Sequence, residues 1–279
     1  MKPAAFDYIR ADNIDEAVAA LAKYGSDARI LAGGQSLMAM LNFRLAQPKI
    51  LVDISRCADL DYSRIEGGFL TIGAAATQAS VQGRTALATE VPLLEKVFPS
   101  ISHFQIRNRG TVCGSIAHAD PSAELPLCLT ALGGEVVLRS SMGRRVLKAN
   151  EFFVGMLITA LRPGELVEEV RFPLADKRHS YAFEEVTMRH GDFAIAALAA
   201  DVTDKDIALS VGGVADRPVR KVWPILSEVE LDAGLNDFAW ELQAQHDFHA
   251  TAKYRRHLVR QLGRKLIIRA RDETLRQSC

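Results

Sequence analysis

The stretch RNRGTVCGSIAHADPSAELP, residues 107–126, decides how the fold of this chain is interpreted. Gly110 and Gly114 leave parts of its backbone without side chains, and an Asp-Pro pair then interrupts regular secondary structure. Glu124 precedes the next apolar run. Side chains this small contribute little to a hydrophobic core, but they let a ligand approach the backbone closely. Cys113 stands where the pattern favours another glycine. The stretch is interpreted as a loop, and it predicts either a packing feature or one wall of a binding site.

Another glycine-rich stretch, ILAGGQSLMAM at residues 30–40, has a similar pattern; in chain order it is the first of the two, and residues 107–126 are the second. A predicted apolar strand turns at Gly33-Gly34 into a predicted helix, and Ser36 adds a hydroxyl donor. Free N–H groups at the start of a helix attract anions such as phosphate. Neither the lysine of a P-loop nor a GxGxxG pattern is present, so the standard nucleotide motifs do not apply. Each stretch alone is more often structural, but the two together indicate a clamp for an extended, phosphate-bearing cofactor.

The composition is typical of a globular protein, with 48% apolar and 24% charged residues in a chain of 279. The formal net charge is zero, which gives no electrostatic reason to expect nucleic-acid binding. No apolar run reaches the roughly 20 residues of a membrane span, and the first residues lack the apolar core of a signal peptide. We therefore expect a cytoplasmic protein without a membrane span.

The four cysteines are isolated from one another in the sequence. Cys57, Cys113, Cys128 and Cys279 form no CxxC pair, and no histidines are spaced for metal binding. Isolated cysteines of this kind predict neither a disulfide framework nor a metal site. Any metal that the working protein uses is therefore expected on another chain.

Hydrophobic periodicity predicts a mixed α/β chain. A helix is expected at NIDEAVAALAKYG, where Asn13 and Glu16 form a capping-box pattern and Gly25 ends the helix. Strands are expected at ILVDIS, LTIGAAAT, GELVEEVRFPL, YAFEEVTMRHGDFAIAALAADVT and DIALSVGGVADRPV, with a hairpin at EVVLRSSMGRRVLKA and a largely helical remainder. Changes in the pattern of predicted helices and strands place boundaries near residues 56 and 175, which divide the chain into segments 1–56, 57–175 and 176–279.

The last predicted helix, KYRRHLVRQLGRKLIIRARDE, is strongly basic. Eight Lys and Arg residues lie between Lys253 and Arg271, with no acidic residue among them. A solvated face balanced by acids elsewhere is the simpler interpretation, and a docking face for a partner protein is the alternative.

Four stretches, in this order, carry a specific resemblance: ILAGGQSLMAMLNFRL, QIRNRGTVCGSIAHADPSAELP, RHGDFAIAALA and YRRHL. Through them nearly the whole chain resembles the FAD-binding (medium) subunit of molybdenum hydroxylases. That family includes the medium subunits of carbon monoxide dehydrogenase and quinoline-type dehydrogenases, and the flavin domain of xanthine dehydrogenase. The resemblance implies an α/β (α+β) FAD-binding fold of the vanillyl-alcohol oxidase type. Residues 1–56 and 57–175 then form its two subdomains, and residues 176–279 form a small C-terminal α/β domain.

The resemblance also implies site residues by position. The first stretch holds the FAD pyrophosphate, the second lies along the dinucleotide, Leu166 contacts the flavin, and the RHGD turn lies close to the cofactor. The residues carried over to FAD binding are Ala32, Gly33, Gly34, Gln35, Ser36, Leu37, Thr111, Gly114, Ser115, Ala117, Asp120, Glu124, Leu166, Arg189 and Asp192.

The implied function is that of an FAD-carrying electron-transfer subunit. A large subunit with a molybdenum cofactor hydroxylates the substrate, a small subunit with two [2Fe–2S] clusters passes electrons to this chain, and an external acceptor receives them, in a dimer of heterotrimers. No catalytic residue is therefore expected here, and His103, His118 and His190 are interpreted as structural residues or hydrogen-bond partners. Two other classes stay open: a stand-alone flavin dehydrogenase or oxidase, and a non-catalytic scaffold subunit with empty loops.

Cys113 departs from the resemblance, because the family usually carries glycine at this position. If the backbone there needs a positive φ, a non-glycine residue costs roughly 1–2 kcal/mol, and FAD affinity falls. If φ is ordinary, the cysteine is a small apolar substitute. A third interpretation is a thiol near the flavin that alters its chemistry.

Overall fold

The computed structural model describes residues 2–277, so Cys279 lies outside the described part of the chain. Three main sheets follow one another along the sequence, with helices packed on them. This mixture confirms the predicted α/β class. Each main sheet lies inside one of the three predicted segments, while the division into domains at residues 56 and 175 stays a prediction. None of the helices within residues 2–277 has the length and apolar character needed to cross a membrane.

The N-terminal sheet is parallel. Its elements are β1 (Asp7–Arg10), α1 (Ile14–Tyr24), β2 (Ala28–Leu31), α2 (Leu37–Asn42) and β3 (Ile50–Asp53). Strand β3 lies between β1 and β2. The predicted capping of α1 is confirmed, since the side-chain oxygen of Asn13 accepts the N–H of Glu16 at 2.9 Å. Gly25, with a φ of +53°, ends the helix as expected.

The central sheet is antiparallel, in the order β4-β5-β10-β6-β7. Its strands, with the small β8–β9 pair, are β4 (Ser63–Glu66), β5 (Phe69–Gly73), β6 (Glu135–Ser140), β7 (Gly143–Lys148), β8 (Phe153–Gly155), β9 (Ile158–Thr159) and β10 (Leu166–Pro173). Its helices are α3 (Gln78–Gln82), α4 (Leu87–Glu90), α5 (Pro92–Val97), α6 (Phe104–Arg107), α7 (Val112–His118), α8 (Glu124–Ala131) and α9 (Ala149–Phe152). The predicted hairpin is confirmed as β6–β7. β10 has a bulge between Val167 and Glu169, and all residues from Leu166 to Val170 are buried.

The C-terminal sheet is an antiparallel meander of four strands packed against two helices. Its elements are β11 (Ser180–Val186), β12 (Ala196–Val202), β13 (Asp206–Gly212), β14 (Val219–Pro224), α10 (Glu228–Glu241) and α11 (Ala252–Gln277). The expectation of a largely helical remainder after β13 is wrong at β14. This edge strand alternates half-buried and exposed residues and carries Arg220 and Lys221, which suits a solvated sheet edge.

Some of the basic residues of α11 pair with acids of the same chain. Arg264 forms ion pairs with Asp232 and Glu228 on α10, and Lys265 forms one with Glu184 on β11. These pairs support the simpler interpretation of the basic helix, in which its charges are neutralised by its own neighbours.

Candidate cofactor site

A cavity of about 1560 Å³ takes its lining from all three segments of the chain. Its lining includes every residue carried over to FAD binding: Ala32, Gly33, Gly34, Gln35, Ser36 and Leu37 from the first stretch; Thr111, Gly114, Ser115, Ala117, Asp120 and Glu124 from the second; Leu166, Arg189 and Asp192 from later elements. The structure thus brings together residues that lie up to 160 positions apart in the sequence. Their role in binding stays a prediction.

The two glycine-rich stretches touch each other. A Cβ added to Gly33 would lie 2.2 Å from the carbonyl oxygen of Arg109 and 2.7 Å from the Cα of Gly110. Gly33 is therefore required by the close approach of two backbones, whereas its neighbour Gly34 has a φ of +73°. The stretches form one continuous part of the cavity wall, as the clamp hypothesis requires.

The second stretch is a helix where a bare loop was expected. Residues 112–118 form α7, and Thr111 caps it by accepting the N–H of Gly114 at 2.9 Å through Oγ1. A Cβ on Gly114 would lie 2.6 Å from that same Oγ1. The glycine is thus explained by the cap, and Ala119, with a φ of +53°, ends the helix.

Cys113 lies inside α7 with an ordinary helical backbone, and it is not among the described residues with a positive φ. Its side chain is buried, and the thiol donates to the carbonyl oxygen of Ile72 at 3.3 Å. Burial raises the pKa of this thiol far above its ordinary value, so it stays protonated. The structure therefore supports the interpretation of a small apolar substitute and opposes both backbone strain and a reactive thiolate.

An acidic pair lies at the start of α8. Glu124 is 6% exposed and lines the cavity. Burial, together with the charge of Asp120, raises the pKa of Glu124 to about 7. Burial and the charge of Glu124 raise the pKa of Glu185, on β11, to about 8. Oε2 of Glu185 is sealed from solvent without a hydrogen-bond partner, so Glu185 is mostly protonated at neutral pH, whereas Glu124 is only partly protonated there.

Gln78 and Arg255 are among the further residues of the cavity lining that sequence reasoning did not assign to the site. Arg255 belongs to the quoted YRRHL motif, and its buried guanidinium donates to the carbonyl oxygens of Ile195, at 2.5 Å, and Gly213. It also pairs with Asp247 at 2.5 Å. The motif was a usable signal for Arg255, because it is one of the four stretches that carry the resemblance. No sequence pattern pointed to Gln78.

A deep cavity lined by backbone, small residues and a few polar groups is typical of proteins that bind a small cofactor. The model for the FAD binding domain in molybdopterin dehydrogenase matches residues 4–175. The chain belongs to this family, which confirms the resemblance drawn from its four motifs. Members of the family are subunits of oxidoreductase complexes.

Curated relatives match the chain over nearly its full length. Caffeine dehydrogenase subunit beta of Pseudomonas sp. (strain CBB1) is 36% identical over 98% of this chain and 97% of its own. The carbon monoxide dehydrogenase medium chain of Afipia carboxidovorans is 35% identical over 97% of this chain and 98% of its own. A chain in the crystal structure of the Cu,Mo-CO dehydrogenase, in its cyanide-inactivated form, superposes with a TM-score of 0.91 at 34% identity, covering 97% of this chain and 99% of that one. The fold class is thereby confirmed.

Proposed function

We propose that this chain is the FAD-carrying electron-transfer subunit of a multi-subunit molybdenum hydroxylase. It receives electrons from a [2Fe–2S] subunit and passes them to an external acceptor. The partners are a large subunit with a molybdenum cofactor and a small subunit with two [2Fe–2S] clusters, assembled as a dimer of heterotrimers. Relatives named as a subunit beta and a medium chain support an assembly of this kind. We also propose that the protein is cytoplasmic, which cell fractionation tests.

One observation carries the proposal: the contact of Gly33 with Arg109 and Gly110, which joins both glycine-rich stretches into one wall. The residues present fit FAD, because this wall offers backbone and the hydroxyls of Ser36 and Ser115 to a pyrophosphate. Bound FAD supplies the exchange between one-electron and two-electron transfer.

In this proposal the residues of the chain bind and position the cofactor. Residues 32–37 hold the pyrophosphate, and Thr111, Gly114, Ser115 and Ala117 lie along the dinucleotide. Leu166 gives an apolar contact to the ring, and Arg189 and Asp192 lie close to the cofactor in the same cavity wall. We assign residues 1–56 and 57–175 to the two FAD-binding subdomains and residues 176–279 to the C-terminal domain. No catalytic acid or base is assigned to this chain, because substrate chemistry belongs to the large subunit.

The first test is the visible spectrum of the chain, purified alone and with its co-purifying partners, followed by identification of any released flavin. We expect flavin absorbance and released FAD from the chain alone, with iron–sulfur absorbance only in the complex. Turnover of an organic substrate by the isolated chain would favour the stand-alone flavin enzyme. A colourless chain that takes up no added FAD, but still co-purifies with two partners, would favour the scaffold.

A further inference from the structure

Gln78 lines the cavity and carries a buried, unpaired polar atom. It is the first residue of α3, it is 6% exposed, and it belongs to the cavity lining. Its Oε1 is sealed from solvent and accepts no hydrogen bond. An amide oxygen buried in this way loses its hydration without compensation, and such atoms are uncommon in folded proteins. Packing alone therefore does not explain a glutamine at this position.

The backbone fixes Gln78 against the second glycine-rich stretch. Its N–H donates to the carbonyl oxygen of Gly110 at 2.8 Å, and the preceding Thr77 forms a β-bridge with Thr111. A Cβ added to Gly110 would lie 3.4 Å from Nε2 of Gln78, so the carboxamide packs directly on the bare backbone of Gly110. Any ligand held by the backbone of residues 110–115 is therefore close to this carboxamide.

We propose that Gln78 is a cofactor-binding residue whose carboxamide oxygen accepts a hydrogen bond from an N–H or O–H group of the dinucleotide bound in this cavity. The inference rests on the proposed function and extends its binding residues to α3. The terminal torsion of a glutamine is broad, so the oxygen turns toward the ligand without a change in the backbone. Binding then satisfies an acceptor that the protein alone leaves unpaired.

The test measures FAD affinity and thermal stability together for Gln78→Leu and Gln78→Met in the full chain. Gln82 gives a matched control on the same helix, because its Oε1 accepts a hydrogen bond from Nε of Arg107 at 3.0 Å, and Gln82 lies outside the cavity lining. We expect Gln78→Leu to raise the Kd for FAD about 5- to 30-fold while leaving the melting temperature of the FAD-free chain unchanged or higher. Gln82→Leu should do the reverse, lowering the melting temperature and keeping the Kd.

The opposite pattern at Gln78, with lower stability and unchanged affinity, would overturn the inference and make this glutamine purely structural. If Gln78→Leu fails to fold, Gln78→Met decides, because its unbranched side chain fills a similar volume. A wild-type chain that binds no FAD contradicts the proposed function itself. If the wild type and the Gln78→Leu variant bind FAD equally well, only the inference about Gln78 is overturned, and the proposed function is unaffected.

Discussion

Glu124 places an ionisable group in a cavity that we assign to a cofactor with two phosphates. Its electrostatic neighbours are also acidic: Asp120 lies in the preceding turn and Glu185 lies on β11. Cys128, one turn further along α8, is buried beside Glu124 and stays protonated. Because the pKa of Glu124 lies at about 7, its charge changes within the physiological range.

We expect FAD affinity to fall as pH rises through about 7. Below that pH Glu124 is neutral and offers an O–H donor, whereas above it a carboxylate shares a poorly solvated cavity with the pyrophosphate. Fluorescence titration should show a Kd about five-fold or more higher at about pH 8 than at about pH 6. Glu124→Gln should bind with a nearly flat profile.

The exposed Glu95, on α5, gives the control, because Glu95→Gln should keep the pH dependence of the wild type. A wild-type Kd that does not change across this range would show that Glu124 does not face the bound cofactor. The same raised pKa values predict lower stability at higher pH, since the folded chain holds protons that the unfolded chain has released above its ordinary glutamate pKa of about 4.5.

At the scale of elements, α11 reaches the cavity through one side chain. Arg255 donates to the carbonyl oxygens of Ile195, just before β12, and Gly213, just after β13. The N–H of Gly213 in turn donates to the carbonyl oxygen of Pro121 at 2.7 Å, in the turn that leads to Glu124. A chain of hydrogen bonds thus connects the C-terminal helix with the second glycine-rich stretch.

Removing this link should cost both stability and affinity. Arg255→Ala removes the guanidinium donor from the two carbonyl oxygens and the ion pair from Asp247, and we expect a loss of about 3 kcal/mol in the free energy of unfolding. FAD affinity should fall as well, because the turn before α8 loses its support. Arg255→Lys should recover only part of either quantity, because a lysine cannot reproduce the planar guanidinium.

Lys253, exposed two residues earlier on α11, is the control for this prediction. Lys253→Ala should change the free energy of unfolding by less than about 0.5 kcal/mol in urea titrations. If Arg255→Ala behaves like this control, the hydrogen-bond chain does not support the cavity.

The elements that could be predicted from the sequence are those with a local cause. Helix α1 carries its own cap at Asn13 and its own stop at Gly25, and both act as predicted. Strand β14 was missed because a short edge strand with basic residues lacks a strong apolar pattern. Helix α7 was interpreted as a loop because glycine weakens helix signals, whereas here Gly114 makes room for the Thr111 cap.

The site followed a similar rule. The resemblance drawn from the four motifs implied fifteen site residues, and all of them line one cavity. Gln78 and Glu185 could not be found in this way, because each owes its environment to the packing of segments distant in sequence. A buried unpaired oxygen is a property of the folded chain alone.

At the scale of the whole molecule, the cavity lies where all three segments of the chain meet. A ligand that contacts all three should stabilise the entire fold by mass action. At a free concentration 100-fold above its Kd, such a ligand adds about 2.7 kcal/mol to the free energy of unfolding. The melting temperature of the whole chain should therefore rise with FAD concentration in a single transition.

Gly33→Ala should remove this rise. The added methyl group cannot occupy a position 2.2 Å from the carbonyl oxygen of Arg109, so the two glycine-rich stretches must separate and the wall opens. Gly67→Ala is the matched control: Gly67 has a φ of +59° in the β4–β5 turn, where an added Cβ meets no atom within 4 Å. The control should lose roughly 1–2 kcal/mol of stability through its backbone, yet keep the full rise with FAD. A Gly33→Ala variant that FAD stabilises as strongly as the wild type would show that the contact between the stretches is not needed for binding.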